Sequence, residues 1–189
     1  MTYRRPPLEI AVFVDDNGTP IDYGNRWGMG HPPEDTYSAT AHPQRFAPLL
    51  DVARALREYL IATYDVDVNG DSIVPRDPKA ASLTIADTDY PSVEMLAGAA
   101  GEARFPQCGC DACDEGVEDM AEQLERFVFA VANGRFQEWR KGRRMYVSWD
   151  DEHGGSSWEK STRDSDPTRL NALKARGKGA VWAPWPKRD

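Results

Sequence analysis

The three cysteines of this chain lie within six consecutive positions, as Cys108, Cys110 and Cys113. Zinc in proteins prefers thiolate and imidazole ligands in a tetrahedral arrangement, and closely spaced cysteines on a tight turn supply several such ligands at once. Gly109 lets the backbone turn sharply between the first two cysteines, because a residue without Cβ adopts left-handed conformations readily. The pattern therefore predicts a structural zinc site with Cys108, Cys110 and Cys113 as ligands.

Acidic residues surround this cluster in the sequence. Within six positions of Cys113 there is no Lys or Arg, and the acidic residues there are Asp111, Asp114, Glu115, Glu118 and Asp119. Nearby anions raise a thiol pKa and oppose a reactive nucleophile, whereas they favour a bound cation. The charges thus favour metal binding over a redox pair at Cys110 and Cys113. The cluster is also consistent with an iron–sulfur centre that takes a ligand from elsewhere, or with three thiols at a buried turn without any ligand.

A fourth zinc ligand is missing from the local sequence. The candidates are His31, His42, His153, Asp114 and Glu115. The directions of the predicted strands favour His42. If the first helix runs up, three hairpin-linked strands after it run down, up and down. Cys108 then lies at the edge of the sheet where that helix begins, and His42 lies close to that beginning in the sequence. We therefore predict His42 as the fourth ligand, with a solvated or capping imidazole as the alternative. A site closed in this way has no position for a reactive water, so we infer no catalytic residue from it.

Two amphipathic helices are predicted from apolar residues that recur every three or four positions. The first runs over residues 46–64, with Pro48 in its first turn, where the missing N–H costs little. The second runs over residues 114–132 and ends at Asn133-Gly134, a favourable C-terminal cap. A shorter helix is predicted from Asp166-Pro167 to residue 175.

Short runs of β-branched and aromatic residues between turn signals predict the strands. The predicted strands cover residues 8–14, 21–23, 65–68, 72–74, 82–87, 92–96, 143–150 and 156–161. Their short spacings imply hairpins, so the expected fold is α+β, with a mainly antiparallel sheet and the two principal helices packed on it.

One α+β domain is expected over residues 1–189. Its N-terminal part is a hairpin and loop over residues 8–40, which includes the Gly24–Pro33 loop. Its C-terminal part is a Trp/Pro tail over residues 180–189. Trp182 and Trp185 in that tail are expected to dock on their own domain or, as the alternative, on a partner.

The net charge and the number of cysteines indicate which partners and which compartment to expect. With 31 acidic and 23 basic residues the formal net charge is −8, which argues against duplex nucleic acid as a partner and suits a protein with a basic surface. No apolar run approaches the ~18 residues that crossing a membrane requires. An odd number of clustered cysteines fits a reducing cytoplasm better than a disulfide-bonded secreted scaffold.

Three segments together resemble a known family. They are Pro32–Ser38, the His42-Pro43-x-Arg45-Phe46-x-Pro48-Leu49 pattern, and Cys108–Glu115 with the motif Cys-Gly-Cys-Asp-x-Cys-Asp-Glu. On these residues the chain resembles a family of functionally uncharacterised actinobacterial proteins of similar length, over most of residues 1–150. The resemblance implies a small cytoplasmic bacterial protein and brings no established activity.

Three functions are consistent with these features. The leading hypothesis is a cytoplasmic binding or interaction module stabilised by zinc. The alternative is an enzyme with a pocket between the sheet and the Gly24–Pro33 loop, in which zinc is structural. The third is a thiol-based redox or metal sensor.

Overall fold

The computed structural model describes residues 2–161, 168, 171 and 180–188. Two short 3₁₀ turns, Glu34–Thr36 and Pro43–Phe46, lead into helix α1, Pro48–Thr63. Five strands follow: β1 Val66–Asn69, β2 Ser72–Pro75, β3 Leu83–Asp87, β4 Val93–Ala97 and β5 Gly101–Phe105. After helix α2, Val117–Ala132, come β6 Phe136–Lys141, β7 Arg144–Asp151, β8 Gly154–Ser161 and β9 Ala180–Val181.

Strands β1 to β5 form a five-stranded sheet in sequence order, and every neighbouring pair is antiparallel. Residues alternate in burial along its central strands. In β3 Leu83 and Ile85 are buried, and in β4 Val93 and Met95 are buried. Such alternation turns one face of an antiparallel sheet towards the core, and helix α1 packs against β3 and β4 there.

A second antiparallel sheet has the order β8-β7-β6-β9. Strand β7 pairs with β8 over its whole length, from Arg144 opposite Ser161 to Asp151 opposite Gly154. Helix α2 packs against β7. The short strand β9 belongs to the C-terminal tail and adds to the other side of β6.

Both helices bury one apolar face and touch each other. Leu49, Leu56 and Leu60 of α1 are fully buried, as are Leu124 and Val128 of α2. Each such side chain contributes about 1.5–3 kcal/mol through burial. The buried residues of both helices and both sheets belong to one continuous hydrophobic cluster.

The α+β prediction and both principal helices are confirmed, with each helix two or three residues shorter at its start. Gly134 adopts a φ of 71°, and the amide of Arg135 donates to the carbonyl of Ala130, so α2 ends at the expected cap. The strands predicted within 65–96 and 143–161 are present with small shifts of boundary.

Several expectations are wrong. The described residues form two sheets rather than one, and β5, β6 and β9 were not predicted. Residues 8–14 and 21–23 form no strands, and a single bridge between Val14 and Pro20 closes the turn at Asp15–Gly18. The helix predicted up to residue 175 lies mostly outside the described residues, and the extent of the domain stays a prediction.

Among the described residues, neither helix combines the length and apolar character needed to cross a bilayer.

Candidate metal centre

The three cysteines lie on the loop between the end of β5 at Phe105 and the start of α2 at Val117. Their sulfur atoms lie within 4.8 Å of one another, and the Cys108 and Cys110 sulfurs are 3.2 Å apart. A tetrahedral zinc with Zn–S bonds of about 2.3 Å holds its sulfurs about 3.8 Å apart. The separations, 3.2 Å for one pair and at most 4.8 Å for the others, are compatible with that value and far exceed the ~2.05 Å of a disulfide. The predicted grouping of the three thiols is thus present.

Glu115 holds the first half of the loop. Its two carboxylate oxygens accept backbone N–H groups from Gln107, Cys108 and Gly109 at 2.9, 3.0 and 2.7 Å. Three hydrogen bonds from consecutive amides to one carboxylate fix the path of the backbone. Gly109 has a φ of 81° and lies against the Tyr90 ring, where a Cβ would meet the hydroxyl at 2.7 Å. A glycine is therefore required at this turn.

The segment before α1 forms a cradle for the second half of the loop. The amides of Asp111 and Ala112 donate to the carbonyls of Ala39 and Thr36. In return, the amide of Ala41 donates to the Asp111 carboxylate at 3.0 Å. The cysteine loop therefore depends on residues about 70 positions earlier in the chain.

The Gly24–Pro33 loop completes this cradle. The Arg26 amide donates to the Asp114 carboxylate at 2.7 Å, and the Trp27 indole N–H donates to the Asp111 carbonyl at 3.1 Å. Arg26 also lies over the Trp27 ring, with its guanidinium carbon 4.5 Å from the ring centre. These contacts hold the cysteine loop from the outside.

Arg45 is the central cation beneath the loop. Although only 4% exposed, it donates to the Asp111 carboxylate at 3.2 Å and to the Gly109 carbonyl at 3.1 Å. Its guanidinium carbon lies 4.1 Å from the centre of the Tyr23 ring and 4.4 Å from that of Phe46. A planar guanidinium suits this position, because it stacks on rings while its edges donate hydrogen bonds.

The charge balance around the thiols differs from the expectation based on the sequence. Arg26 and Arg45 approach the very carboxylates that were expected to attract a cation, at 3.6 and 3.2 Å from Asp111. Asp111 and Asp114 therefore orient the loop, and the sulfurs themselves are the groups able to hold a cation. Folding brings both arginines from distant positions to the carboxylates beside the cysteines, which the sequence around Cys113 does not reveal.

Two of the thiols differ greatly in pKa. Burial opposes ionisation of Cys110, but hydrogen bonds from the Cys108 thiol and from the Cys113 and Ser38 backbone lower its pKa to about 7. Hydrogen bonds to Cys108 and Cys110, together with burial and the charge of those thiols, raise the pKa of Cys113 to about 12. A second negative sulfur is thus costly in this cluster unless a cation joins it.

Backbone strain and unpaired polar atoms concentrate at the same place. Among the described residues, the non-glycine residues with positive φ are Ser38, at 62°, and Asp114, at 50°. The Ser38 backbone hydrogen-bonds to the Cys110 thiol, and Asp114 belongs to the loop itself. Within the same residues, four buried side-chain atoms lack a hydrogen-bond partner, of which Arg26 Nη1, Arg45 Nε and Asp114 Oδ1 lie here. Strain and incomplete pairing of this kind are typical of functional sites.

The predicted fourth ligands are not part of the sulfur group. Within the described residues, the three thiols alone form a set of possible ligand atoms within 4.8 Å. His42 Nδ1 lies 2.7 Å from the Tyr23 hydroxyl, and its ring packs 4.8 Å from Phe13. His31 is exposed in its loop, and His153 lies on the β7–β8 turn. No observation tests a metal at His42, so that assignment stays a prediction.

The strand directions predicted which segment returns to the cysteine loop, and Arg45 of that segment makes a contact that the sequence did not predict. Five strands rather than three separate α1 from the cysteine loop. Five is also odd, so the loop does return to the start of α1. There the Arg45 guanidinium donates to the Asp111 carboxylate and to the Gly109 carbonyl. A buried arginine between two aromatic residues is visible in sequence only as the Arg45-Phe46 pair, which carried part of the family resemblance.

We expect Arg45→Lys to destabilise the protein by about 2 kcal/mol, because lysine keeps the charge but cannot donate in two directions while stacked on Tyr23. Urea unfolding monitored by circular dichroism measures this change. Arg54→Lys is the matched control, since Arg54 forms an exposed pair with Asp51 and should change stability by less than about 0.5 kcal/mol. Equal effects in the two variants would contradict the proposed role of Arg45.

Comparison with known proteins assigns the chain to a family. Residues 9–189 match the model described as Family of unknown function (DUF6226), and the chain therefore belongs to that family. No curated protein and no solved structure matches it significantly. The family resemblance inferred from the sequence is thus confirmed as membership of an uncharacterised family.

Proposed function

We propose that this protein is a cytoplasmic binding module stabilised by a zinc ion at Cys108, Cys110 and Cys113. The observation that carries this proposal is the convergence of the three sulfurs within 4.8 Å on a loop whose backbone is fixed from both sides. Thiolates are soft ligands that suit zinc, and the low proton affinity of Cys110 supports metal binding near neutral pH. An ion there would join the end of the first sheet to the start of α2.

The enzyme alternative, with a pocket between the sheet and the Gly24–Pro33 loop, has less support than the binding module. The Gly24–Pro33 loop contacts the cysteine loop through Arg26 and Trp27, which makes it part of the cradle. A cavity of about 500 Å³ lies instead between β5, α2 and the β7–β8 hairpin, and Trp149 and Trp158 line it. Ser156, Glu102 and Arg126 also line it, and a cavity of this composition serves a binding module as well as an enzyme.

The thiol sensor alternative is favoured by the 3.2 Å distance between the Cys108 and Cys110 sulfurs, since the hydrogen bond between them helps to lower the pKa of Cys110 to about 7. A thiolate at neutral pH beside a neighbouring thiol is the arrangement that a redox pair uses. The same arrangement also prepares the site for a metal ion, so the two functions differ in whether the purified protein contains metal.

A partner with a basic surface suits the exposed side of α2. Glu118, Asp119 and Glu122 are exposed there, in a chain with a formal net charge of −8. Complementary charge speeds association and selects among partners. Binding of a lysine-rich peptide that persists after all three are neutralised would argue against this face.

The actinobacterial origin remains a prediction.

Metal analysis of the purified protein tests the zinc proposal. We expect one zinc per chain, lost in Cys113→Ser and in Cys108→Ser, with a lower melting temperature in both. A ligand at a thousandfold excess over its Kd stabilises the folded state by about 4 kcal/mol, so chelation should produce a loss of that order.

Gln107→Ala is the matched control, because Gln107 is exposed on the same loop and its side chain contacts Gln123 rather than the sulfurs. This variant should keep its zinc. Metal-free protein whose Cys110 reacts rapidly with a thiol reagent near pH 7 would contradict the zinc proposal and favour the sensor.

A further inference from the structure

Few thiol or imidazole side chains are available in this chain as a fourth metal ligand. Apart from the three cysteines, the sequence contains three histidines, and all of them lie within the described residues. His42 is hydrogen-bonded to Tyr23, and His153 lies on the β7–β8 turn beside Glu152. His31 is exposed in the Gly24–Pro33 loop. None of the three belongs to the group of atoms that surrounds the sulfurs.

The carboxylates of the loop are also engaged elsewhere. Glu115 accepts three backbone amides, and Asp111 accepts the Ala41 amide and the Arg45 guanidinium. Asp114 accepts the Arg26 amide through Oδ2, and Arg26 Nε lies 3.9 Å from its Oδ1. Moving Glu115 or Asp111 onto a metal would break the contacts that hold the loop in place. Asp114 Oδ1 has no hydrogen-bond partner among the described residues, but it is buried and does not belong to the group of atoms around the sulfurs.

The sulfurs, in contrast, face outwards. Cys108 and Cys113 are exposed and Cys110 is half-buried, so an ion among them would lie at the surface. Zinc completes a tetrahedron, and three sulfurs supply three of its four positions. Three thiolates also donate so much charge that a water in the fourth position is only weakly acidified, which leaves that position to a softer donor.

We propose that the fourth position of the metal is filled from outside the chain, by a thiolate or imidazole. This inference rests on the zinc proposal and adds that the metal itself is a docking point for a second molecule. Such a donor can be a small-molecule thiol or the side chain of another protein, including a second copy of this chain. The chemistry recognised is the same in each case, namely one soft monodentate ligand.

Cobalt(II) substitution of the full-length protein tests the inference, because the visible spectrum of cobalt reports both the number of sulfur ligands and the coordination number. The protein is loaded with one equivalent of cobalt in a reductant without thiol groups, and imidazole or glutathione is then added. We expect a saturable change in the visible bands at one equivalent of bound donor. The His31→Ala, His42→Ala and His153→Ala variants should give the same starting spectrum as the unsubstituted protein.

Light scattering on the same samples measures the molecular mass and so distinguishes a small-molecule donor from a second copy of the chain. A monomer whose bands shift on addition of glutathione identifies a small-molecule thiol as a sufficient donor. A mass that doubles on cobalt loading, with bands that resist added donors, indicates a second copy of the chain and also supports the inference.

A monomer whose spectrum ignores both donors overturns the inference, because the chain then supplies its own fourth ligand. A change in one histidine variant would identify that ligand as the substituted histidine. In that case the zinc proposal still stands. Failure of the protein to bind either cobalt or zinc overturns the zinc proposal and this inference together, so the two failures are distinguishable.

Discussion

Replacing Glu138 by alanine is expected to lower the free energy of unfolding by about 3–5 kcal/mol. Glu138 is fully buried in β6, and its carboxylate accepts the amides of Ala99 and Ala100 at 2.8 and 2.6 Å and the Trp182 indole N–H at 3.0 Å. Truncation leaves these donors buried without that acceptor, at about 1–3 kcal/mol for each group. Urea unfolding monitored by circular dichroism measures the loss.

Two further variants make this expectation specific. Glu138→Gln keeps the shape of the side chain, but its amide NH₂ group faces N–H donors where the carboxylate offered an acceptor. We therefore expect an intermediate loss of about 2 kcal/mol in the free energy of unfolding. Glu58→Ala removes a carboxylate from the exposed side of α1 and should change stability by less than about 0.5 kcal/mol. A Glu138→Ala variant as stable as Glu58→Ala would show that the two sheets do not depend on this carboxylate.

Glu138 also explains the packing of its neighbours. The turn between β4 and β5 approaches it so closely that a Cβ at Gly98, where φ is 52°, would meet the Glu138 carboxylate at 2.6 Å. At Gly101 a Cβ would meet the Phe136 ring at 2.6 Å. The small residues of this turn therefore allow the first sheet to reach β6, and the carboxylate satisfies the turn amides that this contact buries.

The same residue shows why β6 could not be predicted from the sequence. Its inward positions are Phe136 and Glu138, so a charged residue occupies a place where alternation requires an apolar one. A buried carboxylate is satisfied by groups from distant parts of the chain, here the 99–100 amides and Trp182. Local patterning contains no sign of those groups, and the strand was therefore missed.

Residues 8–14 were predicted as a strand for the opposite reason: their local pattern favours a strand, but the fold offers them no sheet. Its β-branched residues favour extended structure, yet Val12 is 79% exposed and Ile10 is 48% exposed. Strand propensity expresses how a side chain fits a half-buried sheet, and no neighbouring strand offers such a surface here. The helices were predicted correctly because their apolar faces recur within a single segment and require no such knowledge.

For the candidate metal centre, the sequence predicted the candidate ligands but not the residues that position them. Cysteine spacing indicated the three sulfurs, since residues i, i+2 and i+5 on a tight turn lie close enough to share one metal ion. The cradle from Arg26 to Arg45 was not predictable in detail, because it depends on where the turn before α1 directs each side chain. The candidate ligands are thus visible in the sequence, whereas the residues that position them required the fold.

The C-terminal tail is the second place where distant contacts determine stability. Trp185 is 3% exposed, its indole N–H donates to the Ala81 carbonyl at 2.8 Å, and its ring meets Tyr64 edge-on at 5.6 Å. Its own amide donates to the Ala132 carbonyl at the end of α2. The tail therefore docks on its own fold, as expected, and ties together the ends of both helices.

Trp185→Ala is expected to destabilise the protein by about 3–5 kcal/mol, because it opens a cavity among buried residues and leaves the Ala81 carbonyl without the indole donor. Trp185→Phe keeps most of the ring and should lose about 1 kcal/mol for the hydrogen bond. Thermal and urea unfolding of the full chain provide the measurement.

Trp139→Ala is the matched control for the loss of an indole. Trp139 is half-buried and stacks on Tyr146 across the sheet, with ring centres 5.3 Å apart. Its removal costs one cross-strand pair, about 0.5–1 kcal/mol, together with modest burial. Because the Trp185 side chain is buried against Tyr64 and donates to the Ala81 carbonyl, its loss should exceed that of Trp139 by at least about 2 kcal/mol. Equal losses would mean that the tail covers the core without stabilising it.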